Sequence, residues 1–317
     1  MTDLRKLMRA YAAVGMSLCI ALPSHAEYKK AMVGELYYVF DTAARTATVS
    51  NGKPGLIKAG VYSAFAEENR TYAAGNITIP QEVTHAEIKY RVIAIDEGAF
   101  YNSPIGGISI PASVTKIGRS AFSNSALRSV AIACPNVTLG DYVFSQCANL
   151  SFVKLPEGLK DIPKATFSQS GIPYITIPES VTSIGEEAFF KCQNIENITF
   201  PAHLTVLPQM VCCHCSALRS VSLPEGLTTI GDAAFNSCTQ LSTINFPNSL
   251  TEIGNWAFKD CRRLTGVTLP GNVKTGTEAF VGSGLQKSSA GKQNKSKKAT
   301  STPAKKQATK KRTSIYD

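Results

Sequence analysis

A chain of 317 residues, 44 % hydrophobic and 18 % charged, has length for two or three domains and apolar content for a real core. Its formal charge of +10 is local rather than global, because ten basic residues lie between Lys287 and Arg312 and Arg5, Lys6 and Arg9 add three more. Residues 27–286 then hold 20 basic and 21 acidic side chains, which excludes a uniformly basic nucleic-acid-binding body.

In chain order, the first element is an address. Arg5, Lys6 and Arg9 precede an apolar run from Ala10 to Pro23, which closes on Ser24-His25-Ala26. A basic flank, a short apolar stretch and small residues before a cut are the pattern of a secretory signal peptide, so residues 1–26 are assigned to it. A membrane anchor needs about 20 apolar residues, more than this run supplies. Lipidation at Cys19 is disfavoured by the bulky Leu18 before it. Leu36 to Phe40 and Thr46 to Ser50 read as two strands around a turn, a hairpin within an N-terminal β cap over residues 27–76.

Beyond the cap the chain is dominated by self-similarity. The strings I-D-E-G-A-F (Ile95 to Phe100), I-G-R-S-A-F (Ile117 to Phe122), I-G-E-E-A-F (Ile184 to Phe189), I-G-D-A-A-F (Ile230 to Phe235) and I-G-N-W-A-F (Ile253 to Phe258) share one form. Phe recurs at 100, 122, 144, 167, 189, 235, 258 and 280, with Cys212 in the remaining slot, and every step is 22 or 23 residues. A second ladder of prolines (80, 111, 156, 178, 201, 224, 247, 270) follows aliphatic-x-aliphatic triplets in the same register. The triplet is a period-2 strand that Pro, lacking an N–H, terminates. A second short extended segment, T-x-I-G, comes next, its Gly expected to take a corner other residues resist, and Ala and Phe fill the interior. One coil cannot bury its own apolar side, whereas stacked coils share a core and pair their strands in parallel. Residues 77–285 therefore read as nine stacked coils of a mainly β, right-handed solenoid, on the order of 40 Å long at about 4.8 Å per strand. Three substitutions mark irregular coils: Ala133 for the strand-ending Pro, and Pro163 and Pro208 for the Gly.

The unit L-x-x-I-x-I-P-x-x-L-T-x-I-G-x-x-A-F-x-x-C-x-x resembles the repeat of the BspA-like leucine-rich-repeat proteins, a family of secreted or surface-exposed bacterial proteins. The resemblance spans roughly residues 35–285. It implies a curved solenoid, a hairpin before the first coil, a role in recognition or adhesion, and no catalytic residues. The segment between Pro80 and Ile93 resembles the family's usual first unit. Beyond the coils, residues 286–317 are rich in Lys, Ser, Thr, Ala and Gln, a composition expected to stay disordered.

Chemistry-bearing constellations are few. Removing Cys19 with the signal leaves eight cysteines, and Cys147, Cys192, Cys215, Cys238 and Cys261 share one slot that Ser125, Ser170 and Ser283 fill elsewhere. A slot accepting Cys or Ser wants a small inward side chain, so buried free thiols are expected over disulfides between coils. Cys212, Cys213, His214 and Cys215 form the only run of metal-ligand types, with no second pair to complete a tetrahedral site, so no metal is expected. No G-x-S-x-G elbow, P-loop or dinucleotide fingerprint is present, and neither an enzyme nor a cofactor is expected. The strand residues flanking the buried aliphatics should face solvent. They are small and polar, from Gly107 and Ser109 to Gly266 and Thr268, except that Phe152 and Lys154 neighbour Tyr174 and Thr176. Those four form a candidate anchor for a protein or sugar, the plain alternative being aromatics that only support strand pairing. Lys297, Lys298, Lys305, Lys306, Lys310, Lys311 and Arg312 form a candidate polyanion tail, the alternative being a solubilising extension. The leading expectation is a non-enzymatic recognition or adhesion protein that is secreted, periplasmic or on the bacterial surface. It has no transmembrane segment in the mature chain and no specific nucleic-acid partner. The alternative is an envelope-associated structural protein held to polyanions by its tail.

Overall fold

The computed structural model describes residues 28–51, 72 and 74–285. The assigned signal peptide, residues 52–71 of the cap and the basic tail lie outside the described residues. The chain opens with β1 (Tyr28–Val33), β2 (Leu36–Asp41) and β3 (Thr46–Ser50), an antiparallel meander. The cap therefore has one strand more than the expected hairpin. Y-K-K-A-M-V does not alternate apolar with polar, and Lys29, Lys30 and exposed Met32 suit an edge strand guarded by charge. β4 (Gly75–Thr78) leads into β5 (Glu82–His85) and β6 (Ile88–Ile95), which pair antiparallel and form the first unit. β3 pairs β6 in parallel, which joins the cap to the solenoid.

From there every strand pairing is parallel, in two strips. The first strip is built by the aliphatic triplets: β4, then 105–110, 129–132 and 152–154, and after a gap 197–199, 220–222 and 243–244. The second is built by the T-x-I segments: β6, 116–117 and 138–139, then 161–162 with 183–184, then 206–207, 229–230, 252–253 and 274–275. The stack makes about eight turns, the eight steps between the nine Phe-slot positions. Between the strips the proline carbonyl accepts from the amide three residues on, as in Val114 N to Pro111 O at 3.1 Å and Leu227 N to Pro224 O at 3.1 Å. The recurring Thr of the unit also has a physical reason. Thr115, Thr228 and Thr251 each donate their hydroxyl to a carbonyl of the preceding coil at 3.0–3.3 Å.

The Gly of T-x-I-G has a different reason from the expected one. Its backbone does not lie in the left-handed region at 118, 140, 185, 231, 254 or 276. A Cβ at Gly118 or Gly185 would instead stand 2.5 or 2.4 Å from a backbone nitrogen of the preceding coil, so the residue is needed for close approach. Each such Gly also donates its N–H to the coil before, as in Gly118 to Ile95 O at 2.8 Å and Gly231 to Leu207 O at 2.8 Å. Pro163 and Pro208 have no N–H to give, and the second strip breaks at the steps that lead into those two coils. The first strip breaks at residues 174–177, which come after Pro173 and form no strand, and the final triplet after left-handed Gly266 forms none either. Ala133 keeps its amide and donates it to Ile110 O at 3.0 Å.

A third row, not legible as regular structure in the sequence, runs through the A-F turns. The residues two before and two after the Phe slot have positive φ in every coil, nearly all without glycine, as at Ser120 (51°), Asn124 (57°), Tyr142 (60°) and Gln146 (60°). This geometry turns three amides per coil toward the next one. Phe100 N donates to Ala121 O at 2.7 Å, flanked by Gly98 to Arg119 and Asn102 to Ser123, and the same triplet recurs at all later steps. The row is unbroken across Pro163 and Pro208, where Tyr142 N bonds Lys164 O at 2.9 Å and Glu187 N bonds Gln209 O at 3.2 Å.

Inside, the rings stack in a column. Phe100, Phe122, Phe144, Phe167 and Phe189 lie 5.2–5.7 Å apart, centroid to centroid, within 13° of parallel, and Phe235, Phe258 and Phe280 form a second run. Cys212 is the gap between them. Buried Phe200 belongs to the same coil and stands at the triplet register of Phe246, whose ring meets Phe258 edge-on at 5.4 Å. At the amino end Tyr72 covers Phe100 at 4.7 Å and donates its hydroxyl to Ser50 O, which closes the stack under the cap.

Candidate functional site

The first-strip face places the predicted anchor residues on neighbouring coils. Phe152 lies in the strand 152–154, opposite Ser129, with Lys154 opposite Ala131. Tyr174 stands one coil further on, just after Pro173, in a segment without strand pairing. Phe152 is 44 % and Tyr174 61 % exposed, and Lys154 and Thr176 are exposed beside them. Their flanks, Ser129 and Ala131 on one side and Asn197 and Thr199 on the other, are exposed and small or polar. Among the described residues no ring contact joins the two aromatics, so neither is spent on the other. Because the break falls between them, cross-strand support explains Phe152 better than Tyr174. One expectation for this face is corrected. Gly107 is buried, because Asn76 Oδ1 lies 2.7 Å from where its Cβ would be and the Ser129 hydroxyl crowds the other side.

The cysteines form the expected buried column, all free. Cys147, Cys192, Cys215 and Cys261 donate S–H to the carbonyl of a Phe-slot residue in an earlier coil at 3.0–3.1 Å, and Cys238 does so to Cys212 O. Ser125 and Ser170 meet the next sulfur at 3.4 and 3.5 Å, which is why the slot accepts either residue. Burial pushes the Cys147 thiol up to about 11 and holds Cys212 and Cys238 well above the ordinary thiol range. The thiolate is the nucleophile and the metal ligand, and this column suppresses it. Among the described residues no group of three His, Cys, Asp or Glu side chains could hold a metal ion. His214, in the run of metal-ligand residue types, is exposed and edge-on to Phe190 at 6.0 Å. Partial burial and Lys191 lower its pKa.

The second strip carries a feature sequence reading passed over. An open groove of about 630 Å³ crosses four rungs, with Thr48, Lys116 and Thr138 on the strands and Asp96, Glu97, Arg119 and Asp141 at the turns. It begins at the cap strand β3 and stops at the coil before Pro163. Its floor includes Gly118 and Gly140, so the same close-packing glycines that admit the neighbouring backbone also leave the trough. The signal available in sequence was a charge at the same turn of successive coils, Asp96 and Glu97, then Arg119, then Asp141. Among the described residues no helix is long and apolar enough to cross a membrane.

Two parallel strips, a turn row and a column of core rings define a leucine-rich-repeat solenoid. The model of the BspA type leucine rich repeat region matches six copies over residues 76–196 and 182–298, and the chain belongs to that family. A leucine-rich repeat protein from Bacteroides ovatus ATCC 8483 is 24 % identical with a TM-score of 0.58, over 80 % of this chain and 68 % of that one. The pneumococcal vaccine antigen PcpA is 20 % identical with a TM-score of 0.48, over 80 % and 78 % of the two chains. A leucine rich cell surface protein from Faecalibacterium prausnitzii A2-165 is 21 % identical with a TM-score of 0.30, over 77 % and 95 %. No curated protein matches the chain.

Proposed function

We propose that this is a secreted or cell-surface, non-enzymatic recognition protein. A macromolecular partner, protein or glycan, docks on its first-strip face, with Phe152 and Tyr174 as anchors and Lys154 and Thr176 as polar contacts. The observation that carries this reading is the pair of exposed rings on adjacent coils, over small polar neighbours, at the one interior gap of that strip. Aromatic anchors on an otherwise polar surface are where binding energy concentrates. Family membership and the amino-terminal address support an extracytoplasmic site of action. The concentration of ten basic residues between Lys287 and Arg312 favours a second reading, in which the tail holds the protein to an extracellular polyanion and the coils are a spacer. Binding of the full chain, a Phe152→Ala/Tyr174→Ala variant and a chain ending at residue 285 to arrays of matrix proteins and glycans, at low and physiological salt, separates them. The first reading expects salt-tolerant binding that survives truncation and falls on removing the rings. Binding that vanishes only with the tail and falls steeply with salt would overturn it.

A further inference from the structure

The turn row presents one indole at its surface. The left-handed position two before the Phe slot is small in four coils, Gly98, Ser120, Ala165 and Ala233, and large in the other five, Tyr142 and Met210 among them; in the eighth it is Trp256 at φ 55°. This is the only tryptophan of the chain. A bulky residue in that region is disfavoured and persists where the surroundings hold it, as at Tyr142 and Met210, so the backbone gives no reason of its own for an indole here. The core does not supply one, since the indole is 43 % exposed. Its orientation is nonetheless fixed. Nε1 donates to Glu278 Oε2 at 3.1 Å, and Lys259 Nζ donates to the same oxygen at 3.1 Å.

The surroundings say what such a ring would take. At the same register the preceding coil offers only the methyl of Ala233. Among the described residues no ring or cation stacks on the indole, in contrast to Tyr142, whose ring lies 5.2 Å beneath the Arg119 guanidinium. The adjoining register carries an oriented polar pair: Asn255 donates to Asp232 from its backbone N at 2.7 Å and from Nδ2 at 3.1 Å, while Asn255 Oδ1 accepts from Thr277 N at 2.7 Å. A protein hot spot wants an apolar collar that excludes water. This ring has carboxylates, an ammonium and an amide instead.

We propose that Trp256 is a stacking platform for a neutral pyranose ring of a glycan. The C–H face of the sugar lies on the electron-rich face of the indole, and its hydroxyls meet Lys259, Glu278 and the Asp232–Asn255 pair. This site is on the turn row rather than the first strip and does not rest on the reading of Phe152 and Tyr174.

A single tryptophan makes the test direct. Fluorescence of the full chain is followed while cellohexaose, maltohexaose or chitohexaose is added, and retardation is measured in gels containing soluble neutral glucan or glycol chitin. The proposal expects a saturable change in emission with at least one oligosaccharide, and retardation weakened by about tenfold or more in both Trp256→Ala and Trp256→Gly. The glycine variant fits the backbone at φ 55°, so its melting temperature should not fall, which separates lost binding from lost fold. No saturable emission change with any of the three sugars, or variants that melt normally and are retarded like the parent, would overturn it.

Discussion

The two strand strips and the turn row are built from the same coils, yet the strips break and the row does not. The strips depend on single residues keeping an amide where the ladder needs one, and Pro163, Pro173 and Pro208 remove it in the middle of the molecule. The row draws three amides from each coil at positions free of proline, so it carries hydrogen bonding across every step at which a strip fails. Continuity of a solenoid therefore need not reside in its sheets. Where the sheets open, the turn row holds the stack, with the ring column behind it except on either side of Cys212, and the surface there can carry exposed rings such as Tyr174.

The largest expected effect comes from the column both regions share. Phe122→Ala should cost about 3–5 kcal/mol in chemical denaturation, since a fully buried ring between two stacked neighbours is lost. If it cost no more than a surface change, the column would not be what holds these coils together. The thiols give the next effect through pH. Burial raises Cys147 from its ordinary 9.0 to about 11, so the folded state retains a proton that the unfolded chain releases. That stability is complete below pH 9 and is lost as pH rises to about 11, roughly 2–3 kcal/mol for this group. Cys147→Ser should flatten the alkaline limb of a stability–pH curve.

Close approach is tested by Gly185→Ala, expected to cost about 1–3 kcal/mol because the new Cβ would stand 2.4 Å from Lys164 N. Gly226→Ala, whose nearest contact is 4.0 Å away, should be neutral or slightly stabilising. In the turn row, Gln146→Gly should gain about 1 kcal/mol by relieving a left-handed, exposed position, read as a higher melting temperature. The smallest effect is the sharpest on the comparison. Pro208→Gly restores the missing donor opposite Ile184, and the new amide should become protected from hydrogen exchange while stability moves by less than about 1 kcal/mol.

The sequence made the strips, the Phe column and the Cys slot legible because each repeats a residue type whose role is unambiguous: aliphatic alternation, a ring, a small polar thiol. The second-strip breaks were legible as well, since Pro163 and Pro208 stand out against Gly, whereas the first-strip break after Pro173 was not, and the coil of Ala133, expected to be irregular, keeps its strand. The turn row was not, because Ser120, Tyr142, Ala165, Glu187 and Met210 share a backbone conformation but no side-chain chemistry. The reason for the T-x-I-G glycine was missed for a related cause, as its constraint lies in the neighbouring coil rather than in its own φ. At the surface, Phe152 and Tyr174 could be found from their position beside buried aliphatics. Trp256 and the groove over Gly118 and Gly140 needed the stacking of coils to bring Ala233, Glu278 or Asp141 alongside.

The turn row also has a polarity. All of its inter-coil bonds run from an N–H toward the carboxyl end, so their peptide dipoles add coil by coil instead of cancelling as they do along a strand. A helix gains a macrodipole by winding its chain along the axis, whereas this fold gains one across its coils. The positive pole falls at the last coil, around Glu278 and Phe280, and the negative pole beneath the cap. Lengthening such a protein by duplicating a coil would move the two poles apart without altering the field at either end.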